Sequence, residues 1–407
     1  MEFKKYNPIG KEERELVNQV LDSGNLSQFY GEWSPNFYGG PFVQKLERAA
    51  ESLFKTRNAI TFNSWTSGLI AAVGAIGISP GDEVIVTPWT MSASAMAILH
   101  WNGIPVFADI DKETYCLDPE SVESKITSRT KAIMSVDIFG QSANTEALMD
   151  LAIKYNLKVI SDTAQAPGAM RNGKYAGTLT DVGGFSFNYH KHIHTGEGGI
   201  LVTDDDSLAQ RARLIRNHAE SVVEGAGITD LNNMVGFNFR MTEIEAAIGL
   251  SQLNKLEKIV KRRQFEANYL NIRLANLPGL ITPKVYEGNT HVYYTYALQI
   301  DRNIIKESKF EIINRLTKAG VPNISGKYPV IYLLPIFQNK IAFGNLGFPW
   351  NYNNEINKVS YEKGICPVAE DLLENTHFQF YINEFDLNDK NLDFIASKFE
   401  EVWQNLT

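Results

Sequence analysis

Cysteine is nearly absent, with two residues in 407. That is too few for a disulfide framework or a four-thiolate cluster, so a reducing compartment is expected and no metal site is. No run reaches the eighteen or so uncharged apolar residues of a membrane span. The opening MEFKKYNPIGKEERE has no apolar signal core. Basic charge is not in excess either. Lys and Arg number 39 against 47 Asp and Glu, a net charge of −8, which argues against a nucleic-acid partner. At 44% hydrophobic and 21% charged the composition is that of a globular protein, which excludes disorder and fibrous repeats. The length suits two to three domains, or one large α/β unit with a smaller companion. A soluble, cytoplasmic, enzyme-sized protein is the expectation.

What is present is an alternation. AITF (59–62), GDEVIVT (81–87), IPVFADI (104–110), KAIMSVDIF (131–139) and LKVISD (157–162) read as strands. Between them TSGLIAAVGAIG (66–77), SASAMAILHW (92–101) and NTEALMDLAIKYN (144–156) read as helices. Near-continuous apolar strands alternating with helices predict a mostly parallel sheet covered on both faces. Ligands of such sheets gather beyond the carboxyl ends of the strands. A long helix is predicted over 242–277, capped by Thr242 with Glu245 three residues on, its charged second half suiting a bridge between domains. The domain expectation is therefore a large domain over 1–275 and a smaller C-terminal α+β domain over 276–407. HVYYTYALQI (291–300) reads as an alternating strand of the latter, and the Gly- and aromatic-rich 24–42 as a loop outside the core.

Gly183–Gly199, GGFSFNYHKHIHTGEGG, carries the most chemistry. A strand enters a His-rich turn with one lysine, Lys191, placed where it could form a Schiff base with a carbonyl. An exposed surface lysine is the plain alternative. Asp162 ends a strand, where it suits a protonated pyridine nitrogen as well as a helix cap. NSWTSG (63–68) is a strand-to-helix turn whose N–H groups and Thr66 hydroxyl suit a phosphate, or again simple capping. A carbonyl-trapping lysine, an acid for a ring nitrogen and a phosphate cup are together what pyridoxal 5′-phosphate requires.

These stretches, with PGDEVIV, PVFADID, SDTAQAPGA, GFNFRMTEIEAAIGLSQL and CPVAE, resemble the DegT/DnrJ/EryC1/StrS family of pyridoxal-phosphate sugar aminotransferases. The spacing SF-x₃-K-x₄-GEGG is the most specific part of the likeness. The resemblance implies the aspartate-aminotransferase fold, fold type I, an α/β large domain with a mostly parallel sheet. It also implies roles. Lys191 anchors the cofactor and shuttles the proton, Asp162 holds the pyridine nitrogen protonated, and Gln165 bonds the ring oxygen. The Trp65 backbone N–H, Thr66 and Ser186 bind the phosphate. Asn238 completes that shell from the partner subunit of a homodimer with shared active sites.

Two stretches depart from the family pattern. Met91 stands where an aromatic usually stacks on the ring, with Trp89 two residues earlier as the alternative. The segment SQFYGEWSPNFYGG is longer and more aromatic than its family counterpart and is expected to shape the acceptor pocket. Tyr30 and Trp33 within it, with His218, Arg240, His291 and Tyr293, are the candidates to reach substrate. Core or interface packing accounts for His218, His291 and Tyr293 equally well. The implied activity is transfer of an amino group, from L-glutamate, to a keto group of a nucleotide-activated sugar in amino-sugar or surface-polysaccharide biosynthesis. The rivals are a pyridoxamine-phosphate-dependent sugar dehydratase of the same fold, whose lysine position carries His, and a non-catalytic cofactor-binding regulator.

Overall fold

The computed structural model describes residues 1–352 and 358–406. The first strands are β1 (Asn58–Phe62), β2 (Glu83–Val86), β3 (Ile104–Phe107), β4 (Thr130–Val136) and β5 (Lys158–Asp162). A two-residue hairpin follows, β6 (Met170–Arg171) and β7 (Lys174–Tyr175), then β8 (Val182–Ser186) and β9 (Gly199–Thr203). Seven of these form one sheet in the order β1-β9-β8-β5-β4-β2-β3. Only β9 runs antiparallel to its neighbours. The remaining six therefore deliver their carboxyl ends to one edge. Apart from the edge residues Lys131 and Lys158, these seven strands are buried along their length, as expected of a sheet covered on both faces.

The covering helices are α1 (Lys11–Ser23), α2 (Pro41–Phe54), α3 (Trp65–Ala75), α4 (Ala93–His100), α5 (Pro119–Lys125), α6 (Thr145–Tyr155), α7 (Asp206–Arg216) and the short α8 (Ala219–Val222). α3 is buried nearly all round, its Ala and Gly residues allowing close approach to the sheet. Between α2 and α7, the buried Arg216 guanidinium bonds the buried Glu47 carboxylate at 2.7 Å.

α9 (Glu243–Leu274) is the expected long helix, with a full capping box between Thr242 and Glu245. Its first half buries Ala246, Ala247, Leu253 and Leu256 against α1, α2 and the sheet. Its second half carries Ala267, Leu270 and Leu274 into a separate core. That core lies under a four-stranded antiparallel sheet of β10 (Leu280–Ile281), β11 (Tyr296–Ile300), β12 (Ile324–Ser325) and β13 (His377–Phe380), ordered β10-β11-β13-β12. α10 (Lys309–Lys318) and α13 (Asp389–Trp403) pack on it. Between them α11 (Pro335–Gln338) and α12 (Pro367–Asp371) turn back to the large sheet. There Ile331, Phe337, Tyr361 and Cys366 join the large core, and Tyr361 Oη donates to the Pro105 carbonyl at 2.7 Å. Among the described residues no helix is long and apolar enough to cross a membrane.

Two local expectations are corrected. The 24–42 segment is not wholly outside the core: Pro35–Tyr38 forms a short 3₁₀ turn that buries Phe37 completely, and Pro41 already starts α2. In 291–300 only the second half is strand. His291–Tyr294 is instead a crossing segment, tied by Val292 N–H to the Gly140 carbonyl (2.7 Å) and Tyr294 N–H to the Phe139 carbonyl (2.9 Å). Tyr293 there takes a left-handed φ of 53°, which breaks the alternation.

Candidate active site

Register assembles the site. Phe62 of β1 pairs with Gly199 of β9, and Gly199 with Ser186 of β8. The turn after Phe62 therefore sits beside the Ser186 hydroxyl. Closeness there demands glycine, because a methyl on Gly199 would lie 2.5 Å from the Trp65 nitrogen. Ser64 caps α3, its Oγ accepting from Ser67 N–H at 3.1 Å. The earlier N–H groups, of Trp65 and Thr66, belong to a first turn that has no intrahelical acceptors for them. Thr66 is exposed and Ser186 nearly buried. Two converging strand ends and a helix start make an anion cup.

Asp162 closes β5 and is 5% exposed. Its Oδ1 accepts from Trp65 Nε1–H at 2.8 Å and from Ala164 N–H at 3.2 Å, and its Oδ2 accepts from the Ser94 hydroxyl at 2.7 Å. Gln165 follows on the same turn. Its Oε1 accepts from Phe139 N–H (2.9 Å) and its Nε2 donates to Tyr328 Oη (3.1 Å), which leaves the amide one further hydrogen.

Lys191 lies on the β8–β9 turn, held by its own N–H on the Asn188 carbonyl at 2.9 Å. Its ammonium sits over the Tyr294 ring, 4.6 Å from the centroid. Burial pushes its pKa down to about 8, against the opposing pull of the Asp162 charge. The flanking histidines do other work. His192 is buried, its Nε2–H on the Val292 carbonyl at 2.7 Å, and burial holds its pKa down to about 3. His190 lends its carbonyl to Asn383. One other lysine, Lys309, is also pushed to about 8 by burial. Its Nζ, however, is ringed by the carbonyls of Gly326, Leu372, Leu373 and His377, with every hydrogen engaged. Lys309 is a tie, whereas Lys191 has its Nζ over an aromatic ring.

The ring-stacking alternatives separate cleanly. Met91 is 60% exposed just before α4, its sulfur accepting from the Ala93 N–H at 3.0 Å. Trp89 is fully buried, stacked on Tyr328 at 5.5 Å and edge-on to His377, so the expectation that it contacts a cofactor is corrected: both its faces are taken by packing. His291 and Tyr293 are likewise removed from the site. They stack on each other at 4.1 Å, both buried, with His291 Nδ1 accepting from Tyr293 N–H. Burial holds His291 near a pKa of 3, and it stays neutral.

Arg240 and Tyr30 are joined through Asn217. Arg240 Nη1 donates to Asn217 Oδ1 (3.1 Å), and Asn217 Nδ2 to the Tyr30 carbonyl (2.8 Å). Phe239 and Asn238 bring this loop to the phosphate turn, their carbonyls accepting from Asn63 N–H (2.9 Å) and Nδ2 (3.5 Å). The Asn238 side chain is exposed. His218 is half-buried, with a left-handed φ of 52°, and its Nδ1 lies 3.7 Å from Glu220. Trp33 packs on Phe37 and Tyr38 and lines an open cavity of about 700 Å³ with Arg48 and Glu51.

Matching the chain to family models decides the kinship: residues 7–353 match the DegT/DnrJ/EryC1/StrS aminotransferase family. The chain belongs to that family. It is 34% identical over 84% of its length to the spore coat polysaccharide biosynthesis protein SpsC of Bacillus subtilis, covering 86% of that protein. It is 36% identical over 79% of its length to the GDP-perosamine synthase of Caulobacter vibrioides, covering 83% of it. The aminotransferase structure from Psychrobacter cryohalolentis superposes with a TM-score of 0.84 at 28% identity, covering the whole of both chains. The chain is thus a pyridoxal-phosphate-dependent transaminase of the sugar-aminotransferase family, with the fold expected of it.

The residues in the site fit that cofactor. A buried amine of lowered proton affinity, a buried carboxylate and an anion cup stand together at one sheet edge. Sequence reading missed Ser94, Tyr294 and Tyr328. Ser94 stands in the first turn of α4, where it reads as one of several small helix-start residues. Tyr294 was hidden because its neighbour's left-handed φ exchanges the two faces of HVYY. Tyr328 sits in a connecting segment with no local signal.

Proposed function

We propose that this transaminase takes an amino group from L-glutamate and delivers it to a keto carbon of a nucleotide-activated sugar, in amino-sugar or surface-polysaccharide biosynthesis. The observation that carries the reading is Lys191, a buried amine near pKa 8 beside Asp162. The names of the two relatives, a GDP-perosamine synthase and a spore coat polysaccharide protein, support the acceptor class and the pathway type. When bound, the cofactor supplies the electron sink for bond-breaking at the carbon bearing nitrogen. Lys191 anchors it and then moves the proton at that carbon through Nζ, which near pH 8 can both accept and donate. Asp162 holds the ring nitrogen's proton, Gln165 orients the ring oxygen, and Thr66, Ser186 and the Trp65 N–H hold the phosphate. Met91, exposed just before α4, would be the side chain that meets the ring.

The active unit is a homodimer with shared sites. Asn238 is exposed, and its loop also exposes Leu231 and Val235, apolar side chains suited to a partner's cover. Tyr30, Trp33, His218 and Arg240 line the approach for substrate. The dehydratase reading fails to account for a lysine at position 191, and a pure regulator has no need of a tuned amine.

The test has two steps. Holoprotein given L-glutamate should release 2-oxoglutarate stoichiometrically. The loaded protein should then aminate a member of a panel of GDP-, dTDP- and UDP-linked keto-sugars, read by mass. Amination of no keto-sugar, with dehydration products instead, would sink the proposal.

A further inference from the structure

We propose that Trp65 and Ser94 are positioning residues for Asp162, fixing the rotation of its carboxylate at the end of β5. The inference rests on the reading of Asp162 given under Proposed function, and goes beyond it by giving the Trp65 side chain a task its backbone N–H does not have.

Trp65 opens α3, yet its indole turns inward, leaving the residue 4% exposed. The recess that receives it is cut from two glycines. A methyl on Gly184 would meet Trp65 Cη2 at 2.2 Å, and one on Gly68 would meet Cε3 at 2.5 Å. Gly184 pairs with Asp162 across β5 and β8, so the recess leads straight to the carboxylate. The indole N–H lands on Oδ1 at 2.8 Å. From the other side the Ser94 hydroxyl donates to Oδ2 at 2.7 Å. Thr90 Oγ1 stands 3.0 Å behind Ser94 Oγ. Because the Ser94 hydrogen is committed to Asp162, Thr90 is the donor in that pair, making a buried relay from Thr90 through Ser94 to Asp162.

Both carboxylate oxygens therefore hold a side-chain donor on opposite sides, which stops rotation. Oδ1 also takes the Ala164 N–H, while Oδ2 has Ser94 alone and keeps a free lone pair. The other charged or titratable groups about the carboxylate are Lys191 from the β8–β9 turn, Asp137 from the end of β4 and Tyr328 from the C-terminal segment. None of these makes a hydrogen bond to the Asp162 carboxylate among the described residues, Asp137 reaching only the Asp162 carbonyl through its N–H at 3.0 Å, so orientation falls to Trp65 and Ser94.

The test uses full-length Trp65→Phe, which keeps an aromatic ring in the recess and removes the donor, with Ser94→Ala as an independent second variant. Apoprotein melting, the dissociation constant for pyridoxal 5′-phosphate by visible absorbance, and the rate and KM of the donor half-reaction are measured for both. Loss of a donor to a charged group should weaken cofactor binding about ten- to a hundredfold and slow the half-reaction at saturating donor. Apoprotein melting should fall by no more than the loss of one buried hydrogen bond, and the donor KM should stay near wild type. In ¹⁵N spectra the Trp65 indole N–H should shift on Asp162→Asn. Wild-type cofactor affinity and half-reaction rate in Trp65→Phe would overturn the assignment while leaving the transaminase reading intact. Should Trp65→Phe not fold, Ser94→Ala decides by the same criterion. A wild-type protein that binds no pyridoxal 5′-phosphate would overturn both.

Discussion

Replacing Asp162 with asparagine removes the one charge that opposes burial at Lys191, and the consequence can be worked from the site. With Asp162 present, burial brings the Lys191 pKa from 10.5 to about 8. At pH 7 roughly one molecule in ten then carries a neutral amine, against roughly one in three thousand for an unperturbed lysine, a gain of about 300-fold in nucleophile. The neutral form is the reactive one, so reactivity rises with pH through about 8. Without the carboxylate the attraction that favours the ammonium is gone, so in Asp162→Asn the midpoint must move lower still. Competitive labelling of apoprotein with trace acetic anhydride over about pH 6 to 11, read lysine by lysine in a peptide map, measures this without the cofactor. Lys191 should titrate near 8 in the wild type and below 8 in the variant. Lys309, caged by carbonyls, should label slowly at every pH. A wild-type midpoint near 10.5, or an upward move in Asp162→Asn, would refute the claim that burial tunes Lys191.

Four further outcomes are expected. Asp162→Asn should keep its fold by circular dichroism yet lose about three to four orders of magnitude in turnover, as when the charge partner of a catalytic group is removed. Glu47→Leu strands Arg216, which is fully buried, and should cost about 3–5 kcal/mol in denaturant unfolding. His291→Phe should lower stability by about 1–2 kcal/mol, through the lost acceptor for Tyr293 N–H, and leave the KM for donor and acceptor unchanged. Mixing Lys191→Ala subunits with subunits crippled at Asn238 and a second residue of its loop should restore part of the activity, through heterodimers with one intact site. Demonstrated subunit exchange without recovery would rule out shared sites.

The large sheet was legible because its strands are unbroken apolar runs and its helices carry their caps, Asn144 and Thr242 among them. The candidate site was legible because Asp162 and the turn at Asn63–Ser67 stand at strand ends and Lys191 on the turn after β8, and register brings these ends to one edge. What escaped depended on contacts between distant segments. Phe37 looked like part of a surface loop because its segment is rich in glycine and turn residues, and only its packing on Trp33 and Tyr38 in the large core shows otherwise. Trp89 and His291 carry chemically attractive side chains that tertiary packing consumes. Trp65 was read for its backbone alone, since nothing local announces that Gly68 and Gly184 clear a path for its indole to Asp162.

The central claim is that Lys191 is the amine that carries the cofactor. Borohydride reduction of the holoprotein followed by peptide mass mapping tests it most directly. The account predicts a single phosphopyridoxyl group, on the peptide containing Lys191, absent from Lys191→Ala and lost when L-glutamate is added before reduction. The same mass on Lys309 or any other lysine, or its persistence in Lys191→Ala, would contradict it.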